Sequence, residues 1–328
     1  MNPYRIIRLM LAPAGAAALV VALSGAPVLS QSPSDSRWWP SEWGAEDERG
    51  ASHRVTPGRV LEAAQLIRQG KIYSLGRLYE PGMPSFGSRH YSLTIPGLPT
   101  GGPFGENGVV YNDEMFSGEL GQVGTQFDGL GHVGTRVDGE DVFYNGFKLS
   151  EFGTAYGLER LGVEKAGPFF SRGVLLDVAA YKGVERLDPR YIITVEDIEG
   201  TLRQQGIEIR EGDVVLFRTG HGQLWMKDNT TYGASNPGPG ITALKWLVAK
   251  KIVMTGGDTS SVEAVPGENP ERPFEGHQWL LNRHGVHNLE NLDLEELAAD
   301  RVYEFAFVFA PLKLKGATGS PGNPIAVR

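Results

Sequence analysis

The sequence predicts an α/β fold, because strand and helix patterns alternate through its second half. Short apolar runs there are typical of buried strands, and longer periodic segments suit helices. In chain order these segments are the strand GVLLDVAAY, the helix TVEDIEGTLRQQG, the strand REGDVVLFRTG, the helix ITALKWLVAKK, the strand IVMTGG, the helix DLEELAAD and the strand YEFAFVFAPL. We therefore expect one sheet that is covered by helices.

Two helices carry sequence signals at their ends. Thr56 is a suitable N-cap for a first helix, Pro57 suits its first turn, and Gly70 is expected to end it. In the later helix TVEDIEGTLRQQG, Thr194 and Asp197 have the spacing of a capping box. A short strand, KIYSL, is predicted to follow the first helix.

The N-terminal residues 1–30 are predicted to be a secretory signal peptide. Two arginines precede an apolar run over residues 9–23, and small residues follow it. We expect cleavage near Ser30, with Ala26 as the other candidate. An uncleaved membrane anchor is the alternative, although the run is short for a span. Cleavage would place the mature chain in the periplasm or outside the cell, with no further attachment to the membrane.

The remaining sequence is predicted to form an arm, residues 31–58, and a single α/β domain, residues 59–328. The arm is polar and irregular, yet it contains Trp38, Trp39 and Trp43. Large aromatic side chains bury much apolar surface when they are packed. We expect the arm to pack on the body of the domain or on another subunit.

Composition and charge exclude several classes of function. The chain of 328 residues has 31 basic and 39 acidic residues, a net charge of −8 and no basic cluster, which argues against a nucleic-acid partner. It has no cysteine, so disulfides, thiolate catalysis and cysteine-bound zinc are excluded. A small molecule is the expected partner.

The stretch GQVGTQFDGLGH, residues 121–132, is the first candidate site. If residues 122–128 are extended, their side chains alternate between two faces, and Gln122, Gln126 and Asp128 share one of them. The glycines that follow would turn the chain and bring His132 back toward Asp128. A carboxylate and an imidazole on one surface can hold a cation and move a proton. A half-exposed strand with solvated glutamines is the alternative.

A second set of polar residues lies downstream. Asp258 follows the strand IVMTGG, and ligands bind at such strand ends in α/β sheets. The segment EGHQWLLNRHGVHNLENL is predicted to place His277 and Glu290 on either side of a helix and a turn, where both could face one site. His221 also follows a strand and could contact substrate. His90 lies in a long turn-rich stretch, residues 79–112, which is expected to line or cover a site.

These segments together resemble the metal-dependent cyclase family, which includes bacterial kynurenine formamidase and isatin hydrolase. The family pattern is H-x-G-T-H-x-D-x-P-x-H. The corresponding residues here are Gln122, Gly124, Thr125, Gln126, Asp128, Leu130 and His132. Further similar segments, in order, are SEWGAEDERGASHRVTP, GKIYSLG, GDVVLFRTG, GGDTSSVE, LLNRHGVHNLENL and PLKLKGATGSPGNPIAV.

The resemblance implies a swivelling α/β domain with a mixed sheet flanked by helices, assembled as a homodimer or homotetramer. It also implies zinc or manganese and the hydrolysis of amide, lactam, lactone or ester bonds in small cyclic or aromatic substrates. Asp128, with the residues at positions 122 and 126, would bind metal, and His277 and Glu290 would complete the site. His132 would act as general acid and base, while His221, Asp258 and His90 are candidates for binding substrate.

Glutamine stands at both positions where the family has a metal-binding histidine, 122 and 126. An amide oxygen is a harder and weaker ligand than imidazole. This difference favours one ion, with Mn²⁺ as a candidate, over a tight zinc pair, and it leaves a metal-free site open. A hydrolase is therefore the leading hypothesis. A lyase, dehydratase or cyclase could use the same site, and a metal-free periplasmic protein that binds a small ligand is the alternative from another class.

Overall fold

Nine strands form one mixed sheet within residues 37–328, the part of the chain that this computed structural model describes. In chain order they are β1 (Ile72–Ser74), β2 (Gln126–Asp128), β3 (Phe169–Asp177), β4 (Val214–Arg218), β5 (Met254–Gly257), β6 (His287–Glu290), β7 (Glu304–Phe309), β8 (Gly319–Pro321) and β9 (Ile325–Val327). Their order across the sheet is β1-β9-β7-β3-β4-β5-β6-β2-β8. The run β3-β4-β5-β6 is parallel, and the other neighbours are antiparallel. The predicted α/β class with a mixed sheet is confirmed.

Helices connect the strands and cover the sheet. The α-helices of the described residues are α1 (Pro57–Ala64), α2 (Leu149–Phe152), α3 (Val178–Tyr181), α4 (Val195–Gln205), α5 (Asn229–Ala234), α6 (Ile241–Ala249), α7 (Glu275–His277) and α8 (Glu295–Ala299). A π-helical turn, Gln278–Arg283, continues α7. Short 3-10 turns span Gly50–Arg54, Tyr144–Gly146, Val163–Lys165 and His221–Leu224. None of the helices within residues 37–328 has the length and apolar character that crossing a membrane requires.

The predicted helix ends are partly correct. The Thr194 side chain accepts a hydrogen bond from the Asp197 backbone N–H, and the Asp197 carboxylate accepts one from the Thr194 backbone N–H. The capping box before α4 is therefore confirmed. Thr56 caps α1 as predicted, but the helix ends at Ala64 and not just before Gly70. Ala63 is the only buried residue of α1. The other apolar residues of this segment therefore do not form a buried face that would stabilise a longer helix.

The segment GVLLDVAAY also differs from its prediction. It contributes only the second half of β3, which ends at Asp177. The Asp177 carboxylate accepts a hydrogen bond from the Ala180 backbone and caps the short helix α3. Because an N-capping aspartate favours a helix start, the chain leaves the sheet at this residue although the sequence stays apolar.

The centre of the sheet is the apolar core. Every residue of β4 and β5 is buried, and α4 and α6 pack over these strands with Ile198, Leu202, Leu244 and Leu247. Fully burying one leucine or isoleucine stabilises a fold by roughly 1.5–3 kcal/mol. This packed centre fixes the positions of the loops that leave the carboxyl ends of the strands.

The turn-rich stretch that we expect to be irregular contains strands of its own. Tyr91–Thr94 pairs with Met115–Gly118, and Gly101–Phe104 pairs with Val109–Tyr111, which gives a long double hairpin. Smaller two-stranded pairs elsewhere are Thr135–Val137 with Glu140–Val142, Gly153–Thr154 with Gly157–Leu158, and Ile192–Ile193 with Gly238–Pro239. The double hairpin leaves apolar side chains such as Leu98 and Met115 exposed, and self-association stays a prediction.

The N-terminal segments are only partly described. The predicted signal peptide, residues 1–30, and the first part of the predicted arm lie outside the described residues. Residues from Trp38 onward belong to one compact unit that extends to Arg328. Within it, the Asp47 carboxylate accepts hydrogen bonds from the hydroxyl of Tyr144, at 2.7 Å, and from the imidazole of His53, at 2.8 Å.

The stretch 122–128 is extended only at its end, so the prediction of one continuous strand is wrong. β2 covers Gln126–Asp128, and residues 121–125 form turns in which Gly124 has a φ of +61°. That left-handed conformation suits glycine and strains other residues. Phe127 nonetheless enters the core, while Gln126 and Asp128 face the other way, as the period of two predicts.

We predict that Gly124→Ala destabilises the protein more than Gly139→Ala does. Both glycines have a positive φ, +61° and +85°, so both variants carry a left-handed penalty of about 1–2 kcal/mol. A Cβ at position 124 would also overlap the ring of Tyr79, whereas position 139 is open. Urea denaturation of both variants and the parent measures the difference. Equal losses of unfolding free energy in the two variants would show that the Tyr79 ring moves aside without destabilising the protein.

Candidate active site

Three residues that are far apart in the sequence converge in a buried cluster. Asp128 comes from β2, His277 from α7 and Glu290 from β6, and all three are buried. His277 Nε2 lies 3.1 Å from Glu290 Oε1 and 3.6 Å from Asp128 Oδ2. One ligand atom from each residue lies within 4.8 Å of the others, a spacing that could hold a metal ion. This group is called the carboxylate–histidine cluster below.

Strand register positions two members of the cluster. β6 runs antiparallel to β2, and Glu290 is directly opposite Gln126. Side chains at directly opposed positions lie on the same face of a sheet, about 4.5–5.5 Å apart at Cβ. Gln126 Nε2 accordingly donates a 2.7 Å hydrogen bond to Glu290 Oε2.

Glu263 orients the histidine of the cluster. Its Oε1 accepts hydrogen bonds from the backbone N–H of His277, at 2.8 Å, and from the ring Nδ1, at 2.6 Å, while its Oε2 accepts from the Gly276 N–H, at 2.8 Å. A carboxylate accepts hydrogen bonds and cannot donate them, so Nδ1 carries a proton. Nε2 therefore faces Asp128 and Glu290, the arrangement by which carboxylates align metal-binding histidines.

The sequence analysis assigned no role to Glu263. It lies in the segment GGDTSSVEAVPG, five residues after Asp258, and unlike Asp258 it does not directly follow the strand. The sequence feature that points to Glu263 is the presence of a second carboxylate on the loop that carries Asp258. That signal gains meaning only when α7 is known to begin beside the loop and to present its backbone N–H groups to Glu263.

The charged groups of the cluster shift one another's pKa. Burial opposes ionisation of Asp128, but the nearby imidazoles of His132 and His277 outweigh it and hold the pKa of Asp128 below its usual value. Burial and the charge of Asp128 raise the pKa of Glu290. Burial also acts against a charged His277, yet the carboxylate of Asp128 at 3.6 Å and the hydrogen bonds to Glu263 and Glu290 raise its pKa well above 6.5. Carboxylates are thus in excess, which attracts a cation.

The two glutamines donate to the carboxylates. Gln122 Nε2 lies 3.2 Å from Asp128 Oδ1, and Gln126 Nε2 bonds Glu290 as described. Asp128 Oδ2 and Gln122 Oε1 are buried and have no hydrogen-bond partner among the described residues. Buried polar atoms without partners are rare in proteins, and a bound ion is one reason for them. These oxygens and the His277 imidazole form a donor set that fits a divalent metal.

His132 lies at the edge of the cluster. The turn after β2 returns the chain, with the His132 N–H donating to the Gly129 carbonyl at 3.0 Å. Its Nε2 is 3.9 Å from Asp128 Oδ1, and its side chain is about 20% exposed. Burial lowers the pKa of His132 below 6.5, although Asp128 acts in the other direction. A neutral imidazole in this position can accept a proton at neutral pH.

A cavity of about 320 Å³ opens beside the cluster. His132, His277 and Glu290 line one side of it, and Gln122 and Gln126 also reach it. A smaller cavity of about 160 Å³ adjoins it and shares Gln122 and Gln126 in its lining. The first part of the turn-rich stretch contributes to both cavities through Phe86 and Arg89.

Three predicted substrate-binding residues lie outside the lining of these cavities. The Asp258 carboxylate is fully buried and accepts hydrogen bonds from Thr219 and Gly220, which fixes the loop after β4. His221 is buried behind the cavity, where it stacks on Tyr232 and bonds to the carbonyl of that residue at 3.1 Å. His90 is exposed and faces Ser117 and Glu119 on the double hairpin. Each of the three side chains makes at least one polar contact within the protein, and their roles in substrate binding stay predictions.

Comparison with known proteins identifies similar chains. The model of the Cyclase family matches residues 73–264. The isatin hydrolase of Roseibium aggregatum is 32% identical over 147 residues, which are 43% of this chain and 54% of that protein. The match thus spans about half the length of the curated relative.

Solved structures extend the similarity over most of the chain. A crystal structure described as that of a novel cyclase superposes with a TM-score of 0.78 at 30% identity, covering 88% of this chain and 98% of that one. Isatin hydrolase A from Labrenzia aggregata, solved with benzyl benzoate bound, gives a TM-score of 0.56 at 22% identity, covering 82% and 97%. The second similarity concerns the fold alone.

We predict that Glu263→Gln lowers the free energy of unfolding by about 1.5–3 kcal/mol, the range for hydrogen bonds to charged groups. The amide cannot accept at both ends, so the Gly276 or His277 N–H groups lose their partner. Urea denaturation provides the measurement. Glu271→Gln, at an exposed position, is the matched control and should change stability by less than about 0.5 kcal/mol. Equal effects would remove Glu263 from its orienting role.

Proposed function

The chain belongs to the cyclase family, and on that premise we propose that it is a metal-dependent hydrolase of a small cyclic amide or a related aromatic amide, lactam, lactone or ester. One observation carries the proposal: the buried Asp128 converges with His277 and Glu290, and these two residues line one cavity together with His132. The similarity to an isatin hydrolase supports hydrolysis of a C–N bond and makes isatin the first substrate to test.

The residues that would hold a metal are those of the carboxylate–histidine cluster. Asp128 offers Oδ2, His277 offers Nε2 and Glu290 offers Oε1, while Gln122 Oε1 is an additional neutral oxygen nearby. A divalent ion bound there would polarise the scissile carbonyl and lower the pKa of a bound water. Glu263 would keep His277 in the tautomer that leaves Nε2 free to bind.

The protein's own side chains account for the proton transfers. Neutral His132 accepts a proton from the attacking water and returns it to the leaving nitrogen, which completes the hydrolysis without loss or gain of charge. Its 3.9 Å separation from Asp128 lets the carboxylate stabilise the imidazolium that forms in between. Gln122 and Gln126 hold the two carboxylates in place by donating from their amide groups.

We predict that His132→Gln lowers kcat by about 10²–10⁴-fold, the usual contribution of a general acid–base group. The parent should lose activity as the pH falls below 6.5, because burial lowers the pKa of His132 and only the neutral ring accepts a proton. Initial rates on isatin and related amides across pH 5–8 would measure both effects.

The matched control for this experiment is His90→Gln, which makes the same change at an exposed position outside the cavities. It should retain the parent's rate and pH profile. Ion content should also stay at the parent's level in His132→Gln. An acidic limb that persists unchanged in His132→Gln would assign the proton transfer to another group.

We propose manganese rather than zinc as the ion. Around the cluster the oxygens outnumber the single imidazole nitrogen, and oxygen ligands suit Mn²⁺ while imidazole suits Zn²⁺. We predict that Gln122→His/Gln126→His raises zinc affinity relative to manganese affinity, and that Asp128→Asn weakens the binding of both ions. Isothermal titration calorimetry and elemental analysis would provide the affinities and the ion content.

Gln69→His is the control for the double histidine variant, since it adds an imidazole on the surface of the protein. It should leave both affinities unchanged. A parent that binds neither ion, together with a double variant that also binds neither, would contradict the metal-dependent mechanism.

A metal-free binding protein is the second candidate, and one observation favours it. Gln122 and Gln126 already donate hydrogen bonds to the carboxylates, and His277 lies between those carboxylates. These contacts could compensate the buried charge without an ion. Under this candidate, purified protein would contain no stoichiometric ion and would bind a small molecule in the cavity without converting it.

A further inference from the structure

Arg89 is the only arginine or lysine among the described residues that line the cavity. Its guanidinium lies 5.7 Å from the ring centre of Phe86 and forms no ion pair with a described residue. The carboxylate of Glu119 is close enough to interact electrostatically with Arg89, but it accepts its hydrogen bond from the backbone N–H of His90, at 2.7 Å. The donors of Arg89 are therefore available to a ligand.

The wall beside Arg89 is aromatic. The rings of Phe86 and Phe274 meet edge to face at 6.2 Å, and Phe274 packs against the His277 ring at 5.6 Å. Both phenylalanines line the cavity yet remain 55% and 39% exposed, so each presents ring surface to a ligand. A planar aromatic group could pack on these rings and gain affinity beyond the burial of its area.

Phe274 is held in a strained conformation. Its φ of +53° and ψ of +35° lie in the left-handed region, which is unfavourable for a bulky residue. It immediately precedes α7, which contains His277. Strain of this kind clusters at ligand-binding sites, where the surrounding structure maintains it. Here it directs a large aromatic side chain into the cavity.

The cavity also contains an unused polar group. Ser261 is 4% exposed and lines the cavity, and its Oγ has no hydrogen-bond partner among the described residues. The neighbouring Ser260 is different, since its Oγ donates to Asn236 Oδ1 at 3.0 Å. Ser261 can therefore give or accept one hydrogen bond from a bound molecule.

Charge is distributed unevenly over the cavity. Glu290 lines the cavity and the buried carboxylate of Asp128 lies behind it in the cluster, so an anionic group of a ligand would be repelled there, whereas Arg89 lies in the loop before the double hairpin. A negatively charged substituent is accommodated only where Arg89 compensates it, and a planar guanidinium can bind a carboxylate through two parallel hydrogen bonds.

We propose that the cavity selects an aromatic substrate that bears an anionic substituent, with the ring against Phe86 and Phe274 and the anionic group on Arg89. This inference rests on the proposed function for the reacting end of the molecule, which lies toward His132 and the cluster. Arg89 is thus a specificity-determining residue, and Ser261 supplies a further hydrogen bond.

Equilibrium binding tests the proposal without turnover. The probes are benzoate, benzamide, which has the same ring without the charge, and acetate, which has the charge without the ring. Calorimetry on the parent should show benzoate binding more tightly than either of the others. Arg89→Gln should weaken benzoate at least tenfold and benzamide less than twofold, and Phe274→Leu should weaken both aromatic probes similarly.

Two further variants serve as controls. Arg89→Lys keeps the charge but loses the planar fork, and should give an intermediate affinity for benzoate. Arg68→Gln removes an equal charge from an exposed position and should have no effect. Benzamide that binds as tightly as benzoate, benzoate that does not bind the parent, or an unchanged benzoate affinity in Arg89→Gln would each overturn the proposal.

The same experiment separates this inference from the proposed function. A carboxylate held by the carboxylate–histidine cluster would keep its affinity in Arg89→Gln, which overturns the role of Arg89 and leaves the hydrolase untouched. A protein that discriminates benzoate through Arg89 but hydrolyses no amide or ester would retain the subsite and lose the proposed reaction.

Discussion

The structure around the candidate site depends on the compensation of buried negative charge. Asp128, Glu263 and Glu290 are all buried, and an isolated ionised carboxylate in such a place would be very unfavourable. Each is stabilised by donors from a different element. Glu263 receives the backbone N–H groups at the start of α7 and the ring of His277, and His277 in turn reaches the other two carboxylates.

This arrangement links the chemistry to the fold. β6 must lie between β5 and β2 in the observed register for Glu290 to meet Gln126, and the loop after β5 must return for Glu263 to meet His277. A shift of one residue in the pairing of β2 would turn Asp128 into the core and Phe127 out of it. The apolar packing of Phe127 therefore protects the position of the charged residues beside it.

The glutamines give the site a character of its own within the family pattern. Gln122 and Gln126 stabilise the negative carboxylates by donating hydrogen bonds from their amide groups, a function that a cation would otherwise serve. Gln122 Oε1 and Asp128 Oδ2 remain without hydrogen-bond partners among the described residues. The protein thus supplies hydrogen bonds to some of the oxygens of the site, and the remaining oxygens can still bind one more electropositive group.

The sequence by itself was sufficient for the α/β class, because alternating strand and helix patterns follow from local periodicity. It was also sufficient for the family, through several ordered motifs, and the resemblance to that family implied the mixed sheet. Period-two alternation in the last residues of the stretch also predicted that Gln126 and Asp128 share a face. Spacing along the chain could not place Gln122, however, because Gly124 turns the backbone and the glutamine reaches Asp128 from a bend rather than from a strand.

Only the tertiary structure decided which polar residues surround the cavity. Asp258 and His221 follow strands as ligand-binding residues often do, yet their partners are neighbouring loops. Glu263 ends the family-like segment GGDTSSVE but has no assigned role there, and Arg89 belongs to no motif; their positions depend on the meeting of α7 with the loop after β5 and on the path of the turn-rich stretch. Contacts between distant segments are set by packing and register, and a single sequence records those only indirectly.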